Sequence, residues 1–458
     1  MLAPPASATA EAPETPAPEC PNEKRTLETI AWSPDNRTFL TSGPPYTAPD
    51  GEFPTRSYTD VWSVEGKRTT IPVGLSLYAA NPAFWSPDST HVFFGNELWR
   101  RDPWKLVLEA PNINRFKGLF TPDSQKLFYV DSEAGFFSFD LKSRSHRSIE
   151  RGSLSSDAIG LAITPDGKTL LRESRYWVAL YNARTNQKIA EFEPALGMPG
   201  VTLASPNGAK FLLLDRARGS TKVGATIFDA QTRRRVATLS PIDIDATDGR
   251  PTFQWSRDGS RILWVHDKVS IYDANSGAFQ GDLGNSDGST YPELTPDPKL
   301  IRLDHELWDI TTLRRVRTIT WPSDSLGAAY MSSTEVAIID SEHETLRFED
   351  LITGSPKRSN IESICGKVRG AFRELSPNGQ FLPLALGDGS IVIVRVSDGK
   401  RIWIRGFVID NQEVGFIHSS EGEYQGPDTL LGACVSRSVA KTAEPGLLKA
   451  FFAPAAHH

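Results

Sequence analysis

An acidic run, Asp243-Ile244-Asp245-Ala246-Thr247-Asp248-Gly249, has the residue types of a calcium loop, where alternating carboxylates converge on one ion. Its third carboxylate, Asp248, stands one place late. The closing position is Gln254, a neutral amide where a bidentate carboxylate is wanted. The stretch therefore reads first as an acidic turn, with calcium at Asp243, Asp245 and Asp248 the weaker alternative. Histidine offers no better centre. His91, His146, His266, His305, His343 and His418 fall at different places along the chain, and His457 and His458 end it. Asp304-His305 and His266-Asp267 are neighbours on expected strands, where successive side chains point to opposite faces, so neither makes a local catalytic pair. Cys434 has no histidine near it in sequence, and no Gly-x-Ser-x-Gly elbow, P-loop or dinucleotide fingerprint occurs. No catalytic residue, metal or cofactor is expected.

Two insertions have the chemistry of contact instead. Residues 43–59 carry Tyr46, Phe53, Arg56 and Tyr58 on a proline-stiffened loop. Aromatic and arginine side chains on a preorganised loop bury much area at little ordering cost, which is how protein interfaces are anchored. Residues 215–223 carry Arg216, Arg218 and Lys222 on a basic hairpin suited to an acidic partner.

The elements that must hold these loops form a repeat. In residues 251–283 an apolar strand ends at Trp255 and Ser256-Arg257-Asp258-Gly259 turns the chain. Ile262 to Val265 return, Val269 to Tyr272 form a third strand, and Asn275-Ser276-Gly277 turn into a fourth. Short β-branched and aromatic runs bounded by turn residues read as strands. The turn recurs at Ser33-Pro34-Asp35, Ser86-Pro87-Asp88, Thr121-Pro122-Asp123, Thr164-Pro165-Asp166 and Ser205-Pro206-Asn207. It continues at Thr295-Pro296-Asp297, at a worn Ser332-Ser333-Thr334, and at Ser376-Pro377-Asn378. The spacing is roughly the 40–50 residues of one propeller blade. A second marker keeps phase with it. An aromatic-polar pair closes the third strand at Phe139-Asp140, Tyr181-Asn182, Phe228-Asp229, Tyr272-Asp273 and Trp308-Asp309, with weaker copies at Trp62-Ser63, Trp99-Arg100, Glu349-Asp350 and Val394-Arg395. The aromatics are expected to pack blade on blade, and the aspartates to bond local turn amides. The expected fold is all-β: a single β-propeller of eight or nine four-stranded blades over residues 27–407.

Residues 1–26 form an Ala/Pro-rich leader without hydrophobic periodicity, read as disordered. Such stretches follow removed signal sequences, so export to a bacterial periplasm is the expected location and the cytoplasm the alternative. Residues 408–458 form a C-terminal extension. Glu413 to Ser419 are expected to add an inner strand, and Pro445 to Phe452 a short helix docked on the ring. Cys20, Cys365 and Cys434 make no disulfide framework. Cys20 and Cys365 precede the same repeat element in the first and last units, so they are candidates to pair across the closure seam. A net charge of −6 argues against nucleic acid, and no apolar run is long enough to span a membrane.

The Ser-Pro-Asp-Gly turn and the aromatic-Asp pair resemble those of WD-repeat-like and TolB-like propellers, over residues 27–407. The Gly-His … Trp-Asp signature is absent apart from Trp308-Asp309. Tyr272 to Gly277 and Val396 to Trp403 are similar to quinoprotein-type repeats, a group that includes pyrroloquinoline-quinone dehydrogenases and non-enzymatic outer-membrane assembly scaffolds. Ser420 to Gly426 with Pro445 to Leu448 is similar to the ends of bacterial WD-repeat proteins found with caspase-like peptidases. The expectation is a non-enzymatic scaffold binding one or more proteins, probed against two alternatives: a quinoprotein-like or hydrolytic enzyme in the channel, and a glycan-binding propeller.

Overall fold

In the computed structural model the repeat becomes nine radial sheets spanning residues 29–74, 84–109, 117–150, 158–192, 203–243, 252–285, 293–318, 328–356 and 368–409. The structure describes residues 24–25, 29–42, 56–65, 67–74, 83–94, 97–110, 117–130, 135–150, 158–174, 177–192, 203–216, 222–243, 252–265, 268–285, 292–319, 328–340, 345–358, 368–371, 375–386, 389–409, 412–419, 423–425, 441–442 and 447–452. Of the eight or nine expected blades, nine are present. In each, consecutive antiparallel strands run outward from the channel, so the first is innermost.

Burial explains why the strands read as continuous apolar runs and not as alternation. Second and third strands are covered by neighbours on both faces: Arg261–Val265, Lys268–Asp273 and Ile391–Arg395 are buried nearly throughout. Fourth strands such as Lys105–Glu109 and Arg314–Thr318 are largely exposed. Each pair of adjacent blades shares one hydrophobic cluster, and the clusters run unbroken around the circle from the first-second interface to the ninth-first. The third-strand aromatics face the preceding blade: Trp99 packs on the first, Phe139 on the second, Tyr181 on the third and Tyr272 on the fifth.

The ring closes in three ways. Trp32, Phe39 and Trp62 of the first blade pack with Phe381, Ile391 and Ile402 of the ninth. The backbone N–H of Asn378 donates to Asn36 Oδ1 at 3.1 Å. An N-terminal strand, Lys24–Arg25, pairs with Arg401–Ile409, the fourth strand of the ninth blade. A short helix, Leu447–Phe452, then lays Leu447, Phe451 and Phe452 onto the seam. Arg395 Nη1 donates to the Phe451 carbonyl at 2.7 Å, and its guanidinium lies 5.3 Å from the Phe451 ring.

The C-terminal extension departs from expectation. Gln412–Ser419 is not an inner strand: it pairs with Arg401–Ile409 on the outer edge, and Glu423–Gln425 pairs beyond it. Only two residues separate the first two of these strands, so the chain can only fold back on the strand it has just left. Among the described residues the eighth blade shows three strands, with a bridge between Glu349 and Pro356 where the fourth strand runs in the other blades. Proline has no N–H to donate to a ladder, which suits it to that outer edge.

Candidate functional site

The antiparallel order gives the ring two unlike faces. One carries the turns joining first to second and third to fourth strands. The other carries the ends from which the second-to-third hairpins and the links between blades depart.

On the turn face, local hydrogen bonds consume the polar groups. Ser33 Oγ lies 2.6 Å from Asp35 Oδ1 and 2.9 Å from the Thr38 carbonyl, and it accepts from the Thr38 N–H at 3.0 Å. The Arg37 N–H donates to Asp35 Oδ1. The same set recurs at Ser86, Thr121, Thr164, Ser205, Ser256 and Ser376, where the first hydroxyl is buried. The fourth turn position takes a positive φ: 59° at Asn36, 61° at Ser89, 54° at Ser124 and 62° at Gly208. Where that residue has a side chain, it reaches the previous blade. The Asp35 N–H donates to Ser89 Oγ and the Asp88 N–H to Ser124 Oγ, both at 3.0 Å.

The third-strand aspartates behave likewise. Asp140 accepts from the Ser143 N–H at 2.7 Å, and Asp350 from the Thr353 N–H at 2.7 Å. The Ser143 amide holds the Asp140 carboxyl below its ordinary value, and the Thr353 amide with the Lys357 ammonium holds Asp350 well below it. Burial pushes Asp35 up, but bonds from Arg101 and Ser33 outweigh it and the carboxyl ends below its usual range. These carboxylates are structural acceptors.

Ion pairs stitch neighbouring blades. Arg101 holds Asp35 at 2.7 Å and Arg317 holds Glu349 at 2.7 Å, while Arg358, paired with Glu335 of the eighth blade at 2.6 Å, reaches the ninth by donating to the Val396 carbonyl. Glu150 of the third blade is shared by Arg172 and Lys188 of the fourth, with the Arg172 guanidinium 4.8 Å from the Trp177 ring. Sequence reasoning missed these stitches, because each partner lies a blade away and only register brings it near.

The residues singled out in the sequence gather towards the opposite face. Arg56 and Tyr58 lie in the third strand of the first blade, Arg56–Ser63, with Arg56 opposite Gly74 and Tyr58 opposite Pro72. Arg216 ends Lys210–Arg216 and is paired with Val223; Lys222 begins Lys222–Asp229 and is paired with Asp243. The basic hairpin and the start of the acidic run therefore meet on one blade. Tyr46, Phe53, Arg218, Asp245, Asp248, Cys20, Cys365 and Cys434 lie outside the described residues.

Among the histidines, Asp304-His305 is a tight turn between Leu300–Leu303 and Glu306–Asp309, not a strand as expected. Its side chains are 3.5 Å apart and mostly exposed, which leaves them in bulk water. His146 Nε2 lies 2.6 Å from Tyr129 Oη, and burial pushes its imidazole below the ordinary value. Among the described residues no group of three or more metal-ligating side chains converges.

No family model and no curated protein sequence matches the chain. Solved structures similar to it include the C-terminal WD40 domain of Sif2, at 11% identity over 83% of this chain and 99% of that one, with a TM-score of 0.45. The dihydro-heme d1 dehydrogenase NirN in complex with DHE matches at 15% identity over 70% of this chain and 71% of that one, TM-score 0.45. The computationally designed Ika8 protein matches at 10% identity over 83% and 99%, TM-score 0.43. Its own strands and interfaces make this chain an all-β propeller of nine blades.

Proposed function

We propose that the chain is a non-enzymatic protein-interaction scaffold of a bacterial envelope, working by rigid presentation. One observation supports it most. The ends of the strands bearing both insertions, Ser42 and Arg56 in the first blade and Arg216 and Lys222 in the fifth, belong to the same face of a ring sealed at every blade interface. Loops held by a frame that does not deform lose little entropy on binding, so modest contact area suffices for specific capture. A scaffold of this kind needs anchors and not reacting groups, which fits loops rich in Tyr, Phe and Arg. The test is bead capture from a lysate of the source organism by the intact chain and by one lacking residues 43–59. The reading expects proteins retained by the intact chain and lost with the loop. Retention of the same proteins by both, or of none by either, overturns it.

A further inference from the structure

The turn face has a rim of its own chemistry. The third-to-fourth-strand turns and the first residues of the fourth strands carry Lys142, Arg144 and Arg147 in the third blade, then Arg184 in the fourth. Arg233, Arg234 and Arg235 follow in the fifth. All seven side chains are exposed. None makes an ion pair with a carboxylate among the described residues, unlike Lys188 or Arg315 on the same kind of strand. The nearest turn carboxylates, Asp140 and Asp229, are turned inward onto the amides of Ser143 and Thr232. Asp123 and Asp166, in the first-to-second-strand turns, likewise accept from the amides of Gln125 and Lys168, so the seven exposed cations outnumber the four turn carboxylates of these blades and leave a positive arc on a protein whose net charge is −6. The cations of adjoining blades act on one another. Lys126, between the third and fourth blades, donates to the Ala183 carbonyl at 3.0 Å. Burial lowers its ammonium from the ordinary value, and Arg147 and Arg184 lower it further against Asp140 and Asp123.

The arc also carries apolar side chains turned outward. The pairing of third and fourth strands slips by one residue at Leu180/Tyr181 and again at Ile227/Phe228. The residues left over in these bulges are Ile189 and Val236, 37% and 36% exposed. A bulge bends an edge strand and interrupts its ladder, so a partner is not invited to add a strand here. What remains is side-chain recognition, with cations spaced across three blades and aliphatic contacts between them.

We infer that the rim of the third to fifth blades is a docking surface for an acidic protein segment, extended and bearing Asp or Glu with interspersed apolar side chains. The inference rests on the interaction reading above and adds a second surface on the opposite face, so one ring can hold two partners at once. Nucleic acid fits less well. The exposed apolar residues of the arc are aliphatic and offer no stacking platform. A long polyanion would also run beyond the arc onto a net-negative surface, whereas a short segment feels the local field within about 8 Å at physiological salt.

The test is fluorescence anisotropy of a labelled peptide alternating glutamate and leucine, titrated with the full chain. The same peptide with glutamine for glutamate, and an oligothymidylate of equal charge, run beside it. Binding of the acidic peptide is expected to fall steeply between about 0.05 and 0.5 M salt. It should weaken about tenfold or more when Arg233→Glu, Arg234→Glu and Arg235→Glu are combined, and stay unchanged for Lys105→Glu on the second blade. Should the triple variant lose its circular dichroism, Lys142→Glu with Arg144→Glu on the third blade takes its place with the same expectation. Equal binding by the charge-reversed chain, equal binding of the glutamine peptide, or tighter binding of the oligothymidylate overturns the inference. Its failure is distinct from failure of the scaffold reading, since proteins captured through residues 43–59 would still be retained by the charge-reversed chain.

Discussion

Replacing Phe451 with alanine asks whether the terminal helix seals the ring. Phe451 is 5% exposed, and its ring centroid lies 5.6 Å from Phe381 and 5.1 Å from Phe452. Removing about 150 Å² of buried ring at about 25 cal/mol per Å² costs about 4 kcal/mol. The lost contact with the Arg395 guanidinium adds about 0.5–1 kcal/mol. The bond from Arg395 survives, because it ends on a main-chain carbonyl. Partial collapse of the helix onto the seam returns some of the loss, so the expected cost is about 3–4 kcal/mol, within the usual range for a buried Phe→Ala. Urea unfolding followed by tryptophan fluorescence suits the question, since Trp32 and Trp62 lie in the same cluster and report on the seam. Lys449→Ala is the comparison. Its ion pair with Glu65 at 3.0 Å is exposed on both sides and is worth at most about 0.5 kcal/mol. A Phe451→Ala midpoint within about 0.5 kcal/mol of the parent, or equal to that of Lys449→Ala, would refute the plug.

Ser256→Ala removes a fully buried hydroxyl that accepts from the Arg261 N–H at 2.9 Å and lies 2.7 Å from Asp258; a loss of about 1–3 kcal/mol is expected in denaturant midpoint. Gly208→Ala should cost more than Gly379→Ala although both have positive φ. A Cβ at 208 would come 2.1 Å from the Ile163 carbonyl oxygen, while at 379 nothing lies within 4 Å. The expected costs are several kcal/mol against about 1 kcal/mol, and equal melting shifts would contradict the packing. Stability should also fall in acid. Asp140 and Asp350 have lowered pKa values in the fold, so their contribution is complete above the unfolded value of about 3.9 and is lost as pH drops below it through the folded values. Unfolding free energy measured against pH should decline below about pH 4, and Asp140→Asn with Asp350→Asn should flatten that decline; an unchanged slope would rule these carboxylates out.

The blades were legible because their signals are local. Every Ser-Pro-Asp copy sits within one hairpin, and every third strand ends on the polar member of its pair, from Ser63 to Arg395. Even the weak pair Glu349-Asp350 is fully formed, with Asp350 accepting from the amides of Ile352 and Thr353. What the turn chemistry hid was the role of its first residue: the buried Ser or Thr hydroxyl serves both sides of the hairpin, which composition reads only as a turn preference. Closure was not legible, since Asn36 and Asn378 meet across nearly the whole chain. The outward placement of Gln412–Ser419 follows from Arg401–Ile409 running on to within two residues of it, a strand end that apolar patterning marks poorly. The bulges exposing Ile189 and Val236 follow from pairing register, which a single strand's sequence does not carry.

Hydrogen exchange of the chain, alone and loaded with a protein it retains, most directly tests rigid presentation. The account predicts new protection confined to surface connections such as residues 43–59, with the second and third strands of all nine blades unchanged. Altered exchange spreading through strands such as Arg261–Val265 or Ile391–Arg395, or no new protection at any connection, would contradict it.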